Sequence, residues 1–595
     1  MKNEAVGKHK PRAKKGTAEK HEPPVTACQP RTVILASAVS GILVGFLILY
    51  FHLFNYIFIN YLLSERVTFI NWYPATFEFL NRLSGIFVLT LSVAYLLYAL
   101  FWKETIDSFL TNHYRRLLIL LISGIGILAI FVCVNKIIHL DEIEHMHSAW
   151  YIKNGYIPYR DFFEHHNPLL WYLLLPFLYL SGDSVNTLLI ARLFMFCITL
   201  GIIYCTYLIA STVSNSKETG LVSVLLMFST VLLMEKVIEI RPDVPQVLFG
   251  MISVYFLIRF SRNRRNNYMF LSGFSAAISF LFLQKAIFLL VAYGVILAYG
   301  IFKRDVSGKN ILCFMGGLLV PLLSYGAYLL MTGSLHDYFQ TNWQLNWHFL
   351  GSRAITANPL RTLSDSLGSG RITVKPSRTL SGSLIPNLPF WILAVSSVFY
   401  LMLKKDICKE IKFVVIIGLV QITSLSLYSV TFKHYYLFSV CLFSVSGAFF
   451  LTKILDAGKI IITHRVALSV AILLWAVPFL LIDNLNSNRF QLEKIKYVLS
   501  MTKDTDLVYD GANNFNLFRH DLHYFWFQLV QMKSYNEQNG NRFGDYDGCS
   551  LIRAKRPKII NELHIDVNSC GLDALYDKTK YPGVYIRKEP DSNAR

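Results

Sequence analysis

Residues 117–147 read LLILLISGIGILAIFVCVNKIIHLDEIEHMH, an apolar run that ends near Asn135 and gives way to carboxylates and imidazoles. A second polar group follows at Glu164-His165-His166-Asn167-Pro168. The apolar run is as long as a membrane-spanning helix, which needs about 20 residues. Ionisable groups beside lipid are costly and usually mark a functional site. The stretch therefore predicts a membrane helix that leads into a polar functional site, in an outer loop at residues 139–186.

The composition excludes an ordinary soluble protein. Of 595 residues, 54% are hydrophobic and only 16% are charged, and long apolar runs recur from Thr32 almost to Asp483. The first run, Thr32 to Leu63, has its small residues at its start rather than after it, so it is interpreted as a retained helix and not as a cleaved signal peptide. The sequence predicts an α-helical polytopic membrane protein.

The net charge of +19 has a membrane explanation. Lys and Arg lie in short loops between the apolar runs, and short cytoplasmic loops of membrane proteins carry an excess of these residues. The positive charge is therefore explained without a nucleic-acid partner. Residues 1–31 combine basic residues with prolines and lack apolar periodicity, which predicts a disordered cytoplasmic tail that contacts membrane lipids.

The apolar runs predict about thirteen crossings in a transmembrane domain at 32–483. Leu169 to Leu180 is too short to span and is placed at the outer surface. An odd number of crossings leaves a second long loop at 333–387 and the segment 484–595 outside. The predicted limits are 33–63, 83–102, 117–138, 187–210, 219–234, 244–260, 269–284, 286–302, 310–332, 386–403, 411–430, 436–452 and 466–483.

In this topology charged residues of both signs face the outer compartment. The hairpin Phe270 to Tyr299 has Lys285 as its only charged residue, and a solitary lysine at membrane level usually has an anionic partner. The other members of the outer set are Asp141, Glu142, Arg241, Asp243, Lys433 and His434.

The order of these motifs resembles the GT-C superfamily of membrane glycosyltransferases, especially the branch of protein O-mannosyltransferases and the lipid A aminoarabinose transferase. The resemblance covers most of residues 117–483. Two crossings precede the usual first one, and His165 stands where the aminoarabinose enzymes have a lysine. The matching motifs are Asp141-Glu142, Phe162-Phe163-Glu164-His165 before Pro168, Arg192-Leu193, Asp243, Lys285 and Lys433-His434-Tyr435-Tyr436.

The resemblance implies transfer of a sugar, with inversion, from a polyprenyl phosphate to a lipid, glycan or protein acceptor outside the cytoplasm. Asp141 would be the general base, a role worth about 10² to 10⁴ in rate, and Glu142 would support it. Cations would stabilise the leaving phosphate. These cations are Lys285, Arg241, Lys433 and His434, with Glu164, His165 and Asp243 as further substrate-binding candidates.

Each assignment has an alternative. Asp141 and Asp243 could be helix caps, since Asp is a favoured N-cap residue, and Arg192 could extend to the interface without binding phosphate. Carboxylate and imidazole are also suitable ligands for a divalent metal. The ligands of this kind are His145, His147, His165 and His166 with Glu144 and Glu164, and His145 and His147 are the candidates for that cofactor, although the spacing fits no metal motif.

The segment 484–595 predicts a small extracytoplasmic α/β domain. Its pattern indicates a helix over Leu492 to Ser500 and strands at Asp506 to Tyr509 and Pro582 to Arg587. Cys549 and Cys570 would form a disulfide in an oxidising compartment. The domain could bind the acceptor or act as a passive cap.

Three other function classes stay open. An oligosaccharide ligase or polymerase also uses polyprenyl-linked sugars, a secondary transporter places charges near the bilayer midplane, and a scaffold would tolerate Asp141→Asn. The loops and the last domain resemble those of bacterial members of the superfamily, which implies a bacterial inner membrane, with the N-terminus cytoplasmic and the C-terminus periplasmic.

Overall fold

The computed structural model describes residues 31–50, 74–345, 387–404, 407–427, 433–484, 487–511, 514–526, 536–538, 540, 542–544, 547–563 and 565–589. The predicted tail at residues 1–31 lies almost entirely outside these ranges, as does most of the predicted outer loop 333–387.

A helix lies in the described part of each predicted crossing. The first three crossings correspond to Arg31–Tyr50, Pro74–Leu97 and Lys103–Asn135. The remaining crossings correspond to Val185–Ser214, Lys217–Phe228 with Val231–Lys236, Asp243–Asn263, Asn266–Phe282, Ile287–Phe302, Gly308–Met331, Leu388–Leu403, Lys409–Ser424, Leu437–Ala457 and Ile462–Asn484.

Six stretches in the described part of the chain are long and apolar enough to span a membrane. They confirm a multi-pass helical membrane protein, whereas the count of thirteen crossings stays a prediction. The six stretches are Val88–Asn135, Val185–Ser214, Asp243–Asn263, Gln284–Phe302, Gly308–Met331 and His434–Ala457.

Two predicted boundaries are wrong. The expected loop Lys103 to Arg116 is the first part of the helix Lys103–Asn135, which follows a π-helical turn at Tyr98–Trp102; residues 103–116 contain neither glycine nor proline to stop a helix. The crossing at 219–234 is interrupted, because Ser229 and Thr230 each donate a side-chain hydrogen bond of 2.7 Å to a carbonyl of the preceding turn.

Two glycines allow a close helix crossing. Where Asn266–Phe282 crosses Gly308–Met331, a Cβ atom at Gly273 or Gly317 would collide with the carbonyl oxygen of Phe314 or Phe270. Small residues at such positions let the backbones of membrane helices approach each other.

Two shorter helices lie between the third and fourth crossings. The acidic helix, Leu140–Lys153, packs on Leu169–Ser181, the 13-residue helix predicted from Leu169 to Leu180. The linking loop, residues 154–168, joins them and carries Glu164 and His165. The acidic helix and the linking loop hold most of the predicted site.

The C-terminal region forms the predicted α/β domain. Its strands lie in the order Val508–Tyr509, Ile559–Asn561, Val584–Arg587 and Tyr576–Lys578, with the first pair parallel and the others antiparallel. The predicted helix at 492–500 is Arg489–Met501. Cys549 and Cys570 are joined by a disulfide that ties Gly548–Lys555 to the loop before the third strand in sequence.

Candidate active site

Asp141 lies in the first turn of the acidic helix but does not cap it. The N-cap is His139, whose ring accepts a hydrogen bond from the Asp141 backbone N–H, while Glu142 accepts from the His139 N–H at 2.9 Å. This reciprocal pairing is a capping box. The side chain of Asp141 is therefore available for other contacts, and the interpretation of Asp141 as a cap is wrong.

Glu142, predicted with Asp141 as a catalytic candidate and expected to support it, is held in a buried ion pair. It is fully buried and accepts from Arg192 Nε at 2.7 Å and Nη2 at 2.6 Å, and from the Ile240 N–H at 3.2 Å. Arg192 also donates to three backbone carbonyls at the end of Lys103–Asn135. It is 1% exposed and does not extend to the interface. This bidentate pair fixes the position of the acidic helix.

Arg241 connects the two predicted acidic motifs. Its guanidinium forms an ion pair with Asp141, approaches Asp243 at 3.6 Å, and lies 3.1 Å from His434 Nε2. Asp243 is the first residue of Asp243–Asn263, and it makes no side-chain cap hydrogen bond because Pro242 is the N-cap. Asp141, which is 31% exposed, is therefore held by a buried cation at the edge of the site.

Lys285 has the anionic partner that the sequence predicted. It lies in the turn Gln284–Ala286 between two apolar helices, with Nζ 3.7 Å from Asp243 Oδ1 and 3.2 Å from the centre of the Tyr435 ring. A pocket beside it includes Asp243, Lys285 and His434 in its lining. Lys433 is in the short helix Lys433–Tyr436, but its side chain lies outside the described part of the chain.

A buried ionic group behind Arg241 was not predicted. Glu239 accepts from Lys136 Nζ at 2.7 Å and from Lys236 Nζ at 2.9 Å, and lies 3.3 Å from Arg241. Burial raises the pKa of Glu239, but these three cations outweigh burial and hold it below its usual value. The local sequence contained Lys236 and Glu239, yet Lys136 comes from a distant helix end, so only the fold could reveal the group.

Four residues of the acidic helix and the linking loop could hold a divalent cation. Ligand atoms of Glu144, Glu164, His165 and His166 all lie within 4.8 Å of one another. His166 Nδ1 is 3.6 Å from Glu144 Oε1 and 3.4 Å from Glu164 Oε2. Two neighbouring buried carboxylates with two imidazoles are a donor set that suits Zn²⁺ or Mn²⁺.

His145 and His147, the predicted metal candidates, lie outside this group of four. His145 Nδ1 accepts from the Trp171 indole at 3.2 Å, and His147 pairs with Asp521 at 2.5 Å. Residue 145 is one step, about 100°, around the helix from residue 144, and the His147 ring is held by Asp521 and the Leu517 carbonyl, whereas His165 and His166 come back through the linking loop. Of the six Glu and His residues considered as ligands, the structure therefore brings four together and leaves His145 and His147 apart.

The pKa values of the four residues also favour a bound cation, because the carboxylates are costly to charge without one and the imidazoles are neutral. Burial, followed by the charge of Glu164, raises the pKa of Glu144 well above its usual value, and burial raises the pKa of Glu164 to about 7. Burial lowers the pKa of His165 to about 3 and that of His166 to about 4. Neutral imidazoles are the form that binds metal.

The charge of Asp141 is set by its neighbours. Burial on its own would raise its pKa, but Arg241 and a hydrogen bond with His139 outweigh burial and hold the pKa well below the usual 3.8. Asp141 is therefore a carboxylate at neutral pH.

The C-terminal domain contacts the site through the docking segment, residues 514–526. Asp521 accepts from His147 and from Tyr151 on the acidic helix. Trp526 Nε1 donates to the Phe163 carbonyl at 2.9 Å, directly before Glu164. The docking segment thus holds the acidic helix and the linking loop together, a contact that the sequence did not indicate.

Comparisons with known proteins agree with the predicted resemblance. Residues 165–326 match the family model of dolichyl-phosphate-mannose-protein mannosyltransferase, and no curated protein sequence matches the chain. The fold is similar to ArnT from Cupriavidus metallidurans bound to undecaprenyl phosphate, with a TM-score of 0.53 and 10% identity over 79% of this chain and 97% of that one. Apo ArnT gives 0.50 and 10% identity, over 74% and 92%. The GT-C fold is confirmed.

Proposed function

We propose that the chain is a glycosyltransferase that moves a sugar from a polyprenyl phosphate to a hydroxyl acceptor outside the cytoplasm, in the bacterial inner membrane. The observation that carries the proposal is Arg241, which contacts Asp141 on one side and His434 and Asp243 on the other. The carboxylate suited to a base thus contacts Arg241, and Asp243 links Arg241 to Lys285, the second cation suited to a phosphate.

In the proposed reaction, the acceptor O–H gives its proton to Asp141 while its oxygen forms a bond to the anomeric carbon. The bond from that carbon to the phosphate oxygen breaks, and the lipid phosphate leaves with the electron pair. A single displacement of this kind inverts the anomeric centre. Because Arg241 makes Asp141 a weak base, we expect it to take the proton late, when the new bond has acidified the hydroxyl.

Lys285 and Arg241 are proposed to stabilise the leaving phosphate, since preorganised cations act most strongly where negative charge develops, with His434 as a neutral neighbour that contacts Arg241. Lys285 is held by Asp243 and the Tyr435 ring, so it is positioned before the substrate arrives. Lys433 remains a further candidate. The acceptor class, whether lipid, glycan or protein, is left to the assay below.

We also propose that Glu144, Glu164, His165 and His166 hold a divalent cation. When bound, it would supply positive charge beside the phosphate site. The two sites adjoin, because the His165 carbonyl accepts a hydrogen bond of 2.9 Å from Gln284, the residue next to Lys285. The protein residues themselves orient the linking loop, as Glu164 accepts from Ser148 at 2.5 Å.

The position of the charges favours this proposal over a secondary transporter. Asp243 and Lys285 lie at the ends of stretches that are long enough to span the membrane, Asp243–Asn263 and Gln284–Phe302, rather than at a break halfway along a span. Transporters place such residues near the bilayer midplane. An oligosaccharide ligase or polymerase would share the donor chemistry and differ in the length of the transferred glycan.

The test is transfer by the purified chain from a panel of radiolabelled donors to a membrane extract, with mass analysis of the product. We expect one polyprenyl-phosphate sugar to be consumed, with the anomeric configuration inverted, and no reaction with nucleotide sugars. Lys285→Met should raise the KM for that donor. Use of a nucleotide sugar, or of no donor at all, would overturn the proposal, and transfer of a long glycan would favour the ligase.

A further inference from the structure

Glutamine and serine from one membrane helix extend the pocket beyond its charged residues. Gln421 and Ser424 lie at the end of Lys409–Ser424 and line the same pocket as Lys285. Apolar side chains of Phe288 and Phe438 complete this part of the lining. The pocket therefore combines charged, neutral polar and apolar surface, as a phosphorylated lipid would require.

Gln421 is the exception among the neutral polar groups of the pocket. The Ser424 hydroxyl donates to the backbone carbonyl of Gln421 at 2.7 Å, and Gln246 Nε2 donates to the Ser279 hydroxyl at 3.4 Å. The side-chain nitrogen of Gln421 is buried and has no hydrogen-bond acceptor among the residues that the structure describes. Burying such a donor without a partner costs about 1–3 kcal/mol, and an orphaned polar group of this kind calls for an explanation.

We propose that Gln421 donates a hydrogen bond to an oxygen of the donor lipid and is a substrate-binding residue. The proposal rests on the proposed function, because it assumes that the pocket receives a sugar linked to polyprenyl phosphate. A carboxamide N–H can serve either a phosphate oxygen or a sugar hydroxyl, since both are acceptors. Its partners in recognition are Lys285 and His434, which line the same pocket.

The proposal predicts that one substitution, Gln421→Leu, weakens donor binding without lowering the stability of the protein. Gln421→Leu removes the orphaned donor and keeps a side chain of similar size, so the ligand-free protein should unfold at the same temperature or a higher one. Binding of the donor should weaken at the same time, by about tenfold if one hydrogen bond of 1.4 kcal/mol is lost. A merely structural residue would give the opposite sign for stability.

The experiment measures ligand-induced thermal stabilisation of the purified full chain with two probes: polyprenyl phosphate without a sugar, and the sugar-bearing donor from the panel. Gln421→Met is a second apolar variant in case Gln421→Leu does not fold. Thr423→Val is the matched control, because Thr423 is on the same helix and its hydroxyl donates to that helix's own carbonyls.

Weaker binding of both probes by Gln421→Leu would support a contact to the phosphate, and weaker binding of the sugar-bearing probe alone would support a contact to the sugar. Binding equal to that of wild type and Thr423→Val would overturn this inference and leave the proposed function standing. If wild type binds neither probe, the proposed function fails, and the inference fails with it.

Discussion

Replacing Arg192 should destabilise the protein more than any replacement of an exposed cation. Arg192 and Glu142 have side-chain exposures of 2% and 0%, and their atoms approach to 2.6 Å. Arg192→Met leaves a buried carboxylate without its cation, and three backbone carbonyls lose a donor. Breaking a buried pair in this way costs about 3–5 kcal/mol.

The matched control is Arg115→Met. Arg115 pairs with Glu218 at 3.1 Å, but the two side chains are 60% and 37% exposed, so the loss should be about 1 kcal/mol or less. The double variant Glu142→Gln with Arg192→Met removes both charges, and it should be more stable than Arg192→Met alone because the two residues are coupled.

The assay is the thermal midpoint of each purified variant in one detergent. We expect the midpoints to fall in the order wild type, Arg115→Met, double variant, Arg192→Met. Equal shifts for Arg192→Met and Arg115→Met would refute the reasoning, as would a double variant that is less stable than Arg192→Met.

Three further predictions concern the site. Trp526→Phe removes the donor to the Phe163 carbonyl, so kcat should fall several-fold, whereas Trp391→Phe should be neutral because the Trp391 indole N–H has no partner in the described part of the chain. Arg241→Gln should raise the pKa of Asp141, because burial then acts with less opposition from cations; as Asp141 must be ionised to accept a proton, kcat/KM should fall with decreasing pH at a higher pH than in wild type. Chelation should lower turnover, and Mn²⁺ should restore it.

Each of these has a contradicting result. Equal activities of Trp526→Phe and Trp391→Phe would show that the docking segment does not position the site. If kcat/KM of Arg241→Gln falls at the same acid pH as in wild type, the ionisation of Asp141 does not set the pH profile. Full activity after chelation, together with no binding of Mn²⁺ in calorimetry, would dismiss the proposed cation site.

Helix placement was largely predictable from the sequence. Apolar runs of sufficient length can satisfy their backbone groups in lipid only as helices or closed barrels, so even Leu169–Ser181 was predicted within one residue at its C-terminal end. Errors arose where the hydropathy pattern is silent. Good helix formers continue the helix Lys103–Asn135 through its polar first turns, and hydroxyl groups interrupt the helix at Ser229.

The proximity of several candidate site residues was predictable from the sequence, but the contacts of neighbouring carboxylates were not. Asp141, Arg241, Asp243 and Lys285 come together as expected from the outer face. Glu142 looks equivalent to Asp141 in sequence, yet the helix turns it towards Arg192. A one-residue step on a helix changes the direction of a side chain by about 100°, so neighbouring carboxylates take different roles.

His147 illustrates a long-range limit of the sequence. Its partner Asp521 is 374 residues further along the chain, in a segment that the pattern assigned only to an acceptor-binding or passive domain. No local signal links two such residues. The contact forms because the C-terminal domain lies against the acidic helix.

The role of Asp141 as the base is tested most directly by the single-turnover rate of Asp141→Asn with the identified donor. Asp161→Asn is the control, because Asp161 is in the linking loop, is 26% exposed against 31% for Asp141, and pairs with Arg160 away from the pocket residues. We predict a loss of about 10² to 10⁴ for Asp141→Asn with donor binding retained, and a rate close to wild type for Asp161→Asn. Equal rates for the two variants would contradict the proposed mechanism.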